Sequence, residues 1–264
     1  MRHFFGFTHE PFSPDIKVDD LYHTAALEGM KERFLYAVNL GALSVVTGDV
    51  GSGKSTALRY ASSFLHPSQY QLISVVASTG SVVEILKQIS MALDSEWNSI
   101  SLAKLMRTIR GAIMEIGKRK QIPVLVIDEA SLLRIEVFAQ LHTLGQFDLD
   151  SKPLLPMILA GQNNLLDKLM YITSRPLASR VIGRSHLEGL KQKDMEGYLK
   201  HHLEIAGIDE QLFSDAAILA IHQGSGGLLR RANLLAKGSL IAAAREKCRV
   251  VSAEHVRLAS TEIF

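Results

Sequence analysis

A glycine-rich segment near residue 50 constrains this chain more than any other feature of its sequence. It matches the pattern G-x-x-x-x-G-K-[ST] at every fixed position and reads Gly48-Asp49-Val50-Gly51-Ser52-Gly53-Lys54-Ser55. An apolar run at residues 42–47 precedes it and predicts a buried strand, and the residues from Thr56 onward predict a helix. A strand, a loop of this kind and a helix in that order indicate a nucleoside triphosphate site in an α/β domain.

The residue types of this loop suit the binding of phosphate. Glycines let the backbone turn tightly, so that successive N–H groups point at phosphate oxygens, and the N-terminus of the following helix adds partial positive charge. We expect Lys54 to reach the β- and γ-phosphates and the Ser55 hydroxyl to bind Mg²⁺. The loop from Gly48 to Ser55, with Thr56 at the start of the helix, is therefore predicted to bind ATP and Mg²⁺.

Two adjacent carboxylates form the second signal. Asp128 and Glu129 follow an apolar run at residues 122–127, which is typical of a strand buried on both faces. In a phosphate-loop protein this arrangement is a Walker B element. Asp128 is predicted to hold Mg²⁺, directly or through water, and Glu129 to polarise the attacking water. The two elements together predict ATP hydrolysis.

A polar segment also follows the apolar run at residues 154–160. Gln162 and Asn163 lie there, where an amide can orient the attacking water or sense the γ-phosphate. Gln162 is the first candidate and Asn163 the second. The alternative is that Asn163 caps the next helix.

Two groups of arginines are further candidates. Phosphoryl transfer gains from an arginine that neutralises developing charge, and a neighbouring subunit often supplies it. Arg180 is the preferred candidate among three nearby arginines, with Arg175 and Arg184 as the others and an ordinary surface role as the alternative. Farther along, Arg230 and Arg231 begin a long predicted helix, and one of this pair is a candidate to close over the phosphates.

Strands and helices alternate through the first two thirds of the chain. Apolar runs predict strands at residues 42–47, 71–77, 122–127 and 154–160, and helical periodicity lies between them. This alternation favours a parallel, doubly wound sheet with helices on both faces. From about residue 191 only helical patterns follow. We therefore expect an α/β domain at 1–190 and a small helical domain at 191–264.

Composition limits the environment and the partners. The formal net charge of +2 over 264 residues is too small to indicate a nucleic-acid partner by itself. Cys248 is the only cysteine, so no intramolecular disulfide can form and a reducing compartment is expected. The N-terminus does not resemble a signal peptide, and no apolar window has the length of a membrane span. These features predict a cytoplasmic protein without a membrane span.

The first residues are unusually aromatic. Phe4, Phe5, Phe7 and Phe12 lie among prolines and glycine, ahead of a predicted helix from about residue 25 to 39. Two roles remain open at this point. The segment covers the adenine, or it pins the N-terminus to the hydrophobic core.

Taken together, these segments resemble those of AAA+ ATPases, and more narrowly the ATPase module of the ExeA/GspA type. The resemblance covers almost the whole chain. It rests on the opening Phe4-Phe5-Gly6-Phe7, the phosphate loop, Asp128-Glu129-Ala130, Leu159-Ala160-Gly161-Gln162 and Gly227-Leu228-Leu229-Arg230-Arg231-Ala232-Asn233.

The resemblance implies the three-layer fold of P-loop NTPases, with a parallel sheet in the order 5-1-4-3-2 and a C-terminal helical lid. It also implies a homo-oligomer, ring or filament, in which a neighbour's arginine completes each active site. It assigns Arg230 a sensor role at the nucleotide. Two positions depart from the family: Leu229 replaces a usual proline, and Ser131 replaces a usual glutamine.

Three functions compete at this stage. In the first, the oligomer regulates DNA transposition: it binds duplex DNA without sequence preference when ATP is bound and directs a transposase, as relatives of the phage Mu target-selection ATPase do. The second is a secretion-pathway assembly ATPase acting with separate membrane partners, and the third is a non-hydrolysing, nucleotide-held scaffold. A predicted basic helix face favours the first function; its residues are Lys104, Arg107, Arg110 and Lys118. The expected absence of a membrane span disfavours the second function, and Glu129 disfavours the third.

Overall fold

The computed structural model describes residues 1–95 and 101–263 of the chain. They form two compact units. The α/β unit comprises Ala25–Gly48 and Lys54–Leu187. The helical unit comprises Met1–Thr24, Asp49–Gly53 and the chain from Glu188 onward. The predicted boundary near residue 190 lies close to the one observed after Leu187, but the first 24 residues belong with the C-terminal helices.

A parallel sheet forms the centre of the α/β unit. Its strands are β1 (Leu43–Gly48), β2 (Tyr70–Val76), β3 (Ile122–Asp128), β4 (Met157–Gly161) and β5 (Val181–Leu187). Their order in the sheet is β2-β3-β4-β1-β5, and every neighbouring pair is parallel. This order, read from the other edge, is the one that the resemblance implied, and the parallel α/β fold is confirmed.

Helices cover both faces of this sheet. In chain order the helices of the described residues are α1 (Arg2–Phe5), α2 (Ala25–Asn39), α3 (Lys54–Ser62), α4 (Val82–Ala92), α5 (Leu102–Lys118), α6 (Ile135–Leu144), α7 (Asn164–Met170), α8 (Arg175–Ala178), α9 (Gln192–Ile205), α10 (Asp215–Ser225), α11 (Leu229–Arg245) and α12 (Ala253–Ile263). One core packs α4, α5 and α6 against residues such as Val45 and Ile127. The other packs α2 and α3 against residues such as Val46 and Ile158. The residues of β1 and β4 are all buried as a result.

The strand β5 was not predicted from the sequence patterns. Its burial alternates from Gly183 to Leu187, because it lies at the sheet edge with one face only partly covered. Its interior reads Gly183-Arg184-Ser185-His186, which resembles a loop more than the continuous apolar run of a central strand. The candidate Arg184 therefore lies on an edge strand.

The helical unit has its own hydrophobic core. Helices α9, α10, α11 and α12 supply most of it, including Leu199, Ile221 and Leu240. Glycines in the left-handed conformation end two segments here, Gly207 after α9 and Gly226 after α10. This agrees with the helical domain predicted after residue 191.

The N-terminal aromatic segment belongs to the same core. Phe5, Phe7 and Phe12 are buried among the C-terminal helices, and the ring of Phe12 stacks on that of His202 with centroids 5.1 Å apart. The Thr8 hydroxyl donates to the carbonyl oxygen of Ala206 at 3.0 Å. Of the two roles left open, the structure supports the pinning of the N-terminus to the hydrophobic core.

Candidate nucleotide-binding site

Two hydrogen bonds gather predicted site residues at the carboxyl edge of the sheet. Nζ of Lys54, the first residue of α3, donates to the carbonyl oxygen of Gly48 at the end of β1, at 3.0 Å. The Ser55 hydroxyl donates to Oδ2 of Asp128 at the end of β3, at 2.6 Å. Lys54 is buried and Ser55 is exposed. The structure thus brings the two predicted Mg²⁺ ligands into direct contact.

A strained turn holds the acidic pair. Glu129 has a φ of 54°, in the left-handed region that residues other than glycine rarely enter. Its N–H donates to Oδ1 of Asp128 at 2.8 Å, and its carbonyl oxygen accepts from the N–H of Leu132, also at 2.8 Å. Such a backbone costs on the order of 1–3 kcal/mol and persists only where the surroundings fix it. Both carboxylates are partly exposed.

Lys168 on α7 fixes the loop that follows Glu129. Its Nζ donates to the carbonyl oxygens of Ser131 at 2.6 Å and Leu133 at 2.7 Å. The same loop packs closely on β4, since a Cβ on Gly161 would lie 2.7 Å from the backbone nitrogen of Ser131. The sequence patterns missed Lys168 because a lysine on a predicted helix usually has a solvated side chain.

The sheet order determines where Gln162 stands. Strand β4 lies between β1 and β3, so the residue after it follows the strand that separates the phosphate loop from the acidic pair. Gln162 is half-buried, and its carbonyl oxygen accepts from the N–H of Leu165 at 2.9 Å. The side chain of Asn163 makes no capping hydrogen bond with α7. The capping alternative therefore has no support from this geometry.

Three arginines are candidates for the arginine finger, the residue that reaches the nucleotide of a neighbouring subunit, and their environments differ. The guanidinium of Arg180 forms an ion pair with Asp150 and lies 3.4 Å from the carbonyl oxygen of Gly145. Arg175, at the start of α8, and Arg184, on β5, are exposed. The side chain of neither residue makes a hydrogen bond or an ion pair with any residue that the structure describes. Arg180, the preferred candidate, is therefore the one of the three whose guanidinium is bound by residues of its own chain.

The middle of the phosphate loop belongs to the helical unit. Gly51 and Gly53 have φ values of 86° and 95°, which L side chains rarely adopt, so glycine is required for this path. The N–H of Ser52 donates to the carbonyl oxygen of Asp49 at 3.1 Å. The Ser52 hydroxyl is buried and has no hydrogen-bond partner within the described chain. Buried polar groups of this kind are expected where a ligand completes the site.

The first turn of α11 lies against this part of the loop. The N–H of Arg230 donates to the carbonyl oxygen of Gly51 at 3.1 Å. A Cβ on Gly53 would lie 3.0 Å from Cδ1 of Leu229, the residue that replaces the family's proline. The Arg230 side chain is exposed and pairs with no described residue. The hydrogen bond to the loop is therefore made by the backbone of Arg230, and its guanidinium is left available.

These residues fit ATP and Mg²⁺. The left-handed glycines and the Ser52 hydroxyl, which has no partner among the described residues, suit a bound anion. The Ser55 hydroxyl beside the Asp128 carboxylate offers the oxygen ligands that Mg²⁺ prefers. Lys54 is held nearby by its bond to Gly48. A loop, a lysine and a hydroxyl–carboxylate pair are the parts by which P-loop proteins hold a nucleotide.

Known proteins resemble this chain in sequence. The model of a family described as an AAA domain matches residues 39–169, which contain the phosphate loop, the acidic pair and Gln162. General secretion pathway protein A of Aeromonas hydrophila is 30% identical over 98% of this chain. The chain spans 48% of that relative's length.

Solved structures show the same fold at lower identity. Cdc6p of Pyrobaculum aerophilum superposes with a TM-score of 0.76 at 16% identity, over 96% of this chain and 70% of that one. ORC1 of Aeropyrum pernix, solved in complex with DNA, gives a TM-score of 0.70 at 17% identity, over 96% and 68%. In the described part of this chain, no helix has the length and apolar character needed to cross a membrane.

Proposed function

Because the chain carries an AAA domain on an AAA+ fold, we propose that it binds and hydrolyses ATP as an oligomeric switch in a secretion-type assembly pathway. The observation that carries the ATPase part is the 2.6 Å hydrogen bond between Ser55 and Asp128. It places a P-loop hydroxyl against a strand-terminal carboxylate, which is the pair that holds Mg²⁺ in P-loop enzymes.

Each site residue then has a separate task. Bound ATP with Mg²⁺ supplies the anhydride that is cleaved. Lys54 neutralises phosphate charge, and Ser55 with Asp128 holds the cation. Glu129 accepts the proton of the attacking water, and Gln162 orients that water. The turn at Glu129 favours this division, because the Asp128 carboxylate accepts hydrogen bonds from the Glu129 N–H and the Ser55 hydroxyl, and both carboxylates remain partly exposed.

An arginine from a neighbouring subunit completes the site in this proposal. Arg180 remains the proposed finger, and its use in trans requires its ion pair with Asp150 to open. Arg175 is the competing choice because it is exposed and pairs with no described residue. The sensor role of Arg230 is supported by its place in the first turn of α11 and by its side chain, which forms no ion pair or hydrogen bond with a described residue.

The comparisons favour the secretion function over DNA transposition. The relative at 30% identity is named for a general secretion pathway, whereas the protein solved with DNA is only 17% identical and shows the fold alone. The basic residues of α5 are the observation that favoured DNA, but they also suit the binding of an acidic protein segment. We therefore place the secretion-type role first, with partner proteins as the expected ligands of the oligomer.

The ATPase proposal is tested by phosphate release from the purified chain with Mg²⁺ or with excess chelator. Hydrolysis that needs Mg²⁺ and is lost in Ser55→Ala supports it; equal rates in the wild type and in Ser55→Ala contradict it.

The role in secretion is tested by deleting the gene in the cell that carries it. Retention of normally secreted enzymes, restored by the wild-type gene and not by Glu129→Gln, supports the secretion role. Unchanged secretion with a changed transposition frequency reverses the order of the two functions.

A further inference from the structure

An open groove between α5 and α6 lies on the α/β unit. Three apolar side chains of α5, Leu102, Met106 and Met114, line it together with Gly111. Leu102 and Met114 are 37% and 52% exposed, although most large apolar side chains of this unit are buried. The groove contains none of the nucleotide-site residues.

The groove permits close approach of another backbone at Gly111. A glycine inside a helix is less favourable than alanine, so a structural reason for it is expected. Apart from the adjacent residues and the backbone of the same helix, no atom of a described residue lies within 4 Å of the position that a Cβ on Gly111 would take. Packing within the described chain therefore does not require the glycine, and the space in front of it is open to a ligand.

The rim of the groove is basic. The side chain of Arg107 is exposed and forms no hydrogen bond or ion pair with a described residue. The guanidinium of Arg110, in contrast, lies over the ring of Phe147 at 4.6 Å and donates to the carbonyl oxygen of Thr143 at 3.0 Å. Lys104 adds a third, exposed cation on the same helix. None of the described residues that line the groove is acidic.

We propose that this groove binds an amphipathic helix of a partner protein, with an apolar ridge and acidic residues beside it. An apolar floor with a basic rim matches such a helix in both respects, as helix-in-groove recognition requires. Duplex DNA matches only the rim, because a phosphate backbone gains nothing from exposed methionine and leucine. The proposal explains the basic face of α5 without nucleic acid and does not depend on ATP hydrolysis.

The test uses a fluorescein-labelled peptide of about 20 residues, designed as a helix with leucines on one face and glutamates beside them. A twin peptide carries lysine in place of glutamate. Fluorescence anisotropy should show the acidic peptide binding about tenfold or more tightly than the twin, as charge complementarity requires. Gly111→Leu should weaken binding about tenfold by filling the groove, and its melting temperature should not fall because leucine favours a helix.

Charge reversal supplies the matched control. Arg107→Glu should weaken binding of the acidic peptide and strengthen binding of its lysine twin. Arg119→Glu is the same change at an exposed residue that does not line the groove, and it should alter neither affinity. Equal affinity for the two peptides, or binding that Gly111→Leu leaves unchanged, overturns the proposal. Displacement of the peptide by a DNA duplex also overturns it, if binding of the duplex depends on Arg107 but not on Gly111. That result would assign the surface to nucleic acid.

Discussion

The backbone N–H of Arg230 donates to the carbonyl oxygen of Gly51 at 3.1 Å, so the first turn of α11 meets the middle of the phosphate loop. Gly51 has a φ of 86°, and a Cβ there would lie 3.0 Å from the Cβ of Arg230. The path of the loop and the position of α11 are therefore set together. A side chain added at Gly51 disturbs both.

Gly51→Ala should weaken ATP binding more than backbone strain alone explains. Alanine at this φ costs about 1–2 kcal/mol, and its Cβ also pushes against Arg230. Gly226→Ala is the matched control, since Gly226 has a φ of 59° but a Cβ there would have no atom of a described residue within 4 Å apart from its chain neighbours. Affinity for a fluorescent ATP analogue and the melting temperature should be measured for both. Equal loss of nucleotide affinity in the two variants contradicts the role of the contact.

Lys54→Ala and Glu129→Gln should separate binding from hydrolysis. The first removes a charge-assisted contact to phosphate and should lose most ATP affinity. The second keeps the fold and the phosphate contacts, and it should bind ATP while hydrolysing it about 10²-fold or more slowly. Isothermal titration and phosphate release make the distinction. Near-normal turnover by Glu129→Gln would remove this residue from the base role.

Lys168→Met should lower kcat and leave KM for ATP nearly unchanged. The substitution frees the carbonyl oxygens of Ser131 and Leu133, so the turn that carries Glu129 loses its support. Misplacement of a catalytic group typically costs about 10- to 100-fold in rate. Lys168→Arg should restore part of the rate. Lys152→Met removes an exposed lysine whose ion pair with Asp148 is 2.9 Å long, and it should change nothing.

Arg180→Ala should bind ATP normally and hydrolyse it poorly. Mixing it with Lys54→Ala subunits should restore some activity, because an intact Arg180 can then serve an intact pocket of another chain. Asp150→Ala releases Arg180 from its own chain and should leave hydrolysis at least as fast as in the wild type. If mixing restores nothing while the chains co-assemble, or if only Arg175→Ala is inactive, Arg180 is not the finger.

His202 should make the protein sensitive to mild acid. Burial, with the neighbouring His201 adding to it, lowers the pKa of His202 from 6.5 to about 4. The unfolded chain therefore binds a proton below pH 6.5 that the folded chain does not take up until about pH 4. The free energy of unfolding falls over that range, by about 3 kcal/mol in total.

His202→Phe checks this expectation. The site already contains aromatic rings, with Phe12 at 5.1 Å and Tyr198 at 4.6 Å from the imidazole, so phenylalanine suits its surroundings. Urea unfolding from pH 7 to pH 4 should show a smaller loss of stability in His202→Phe than in the wild type. His3→Gln, at an exposed position of the same unit, is the control. Parallel losses in all three proteins would exclude His202 as the cause.

The class of fold was predicted correctly from the sequence, and the nucleotide chemistry that we propose also follows from local sequence patterns. The phosphate loop, the acidic pair and the residue after β4 are each short segments at the end of an apolar run, and their meaning depends on local spacing. Buried parallel strands read as continuous apolar runs, so β1, β3 and β4 were each recognised to within three residues of their ends. A local pattern needs no knowledge of distant residues.

Features that join distant parts of the chain could not be predicted from the sequence and became visible in the folded structure. The strand β5 was missed because an edge strand carries polar residues on its open face. Phe5 and Phe12 are buried among helices some 200 residues away, and Lys168 bonds to the carbonyl oxygen of Ser131. No periodic pattern in the sequence predicts either contact. The contact of Arg230 with Gly51 is made by backbone atoms, which every residue possesses. The pattern of side chains along a strand indicates whether each of its faces is buried. Contacts between residues distant in sequence form only when the chain folds, so local patterns do not predict them.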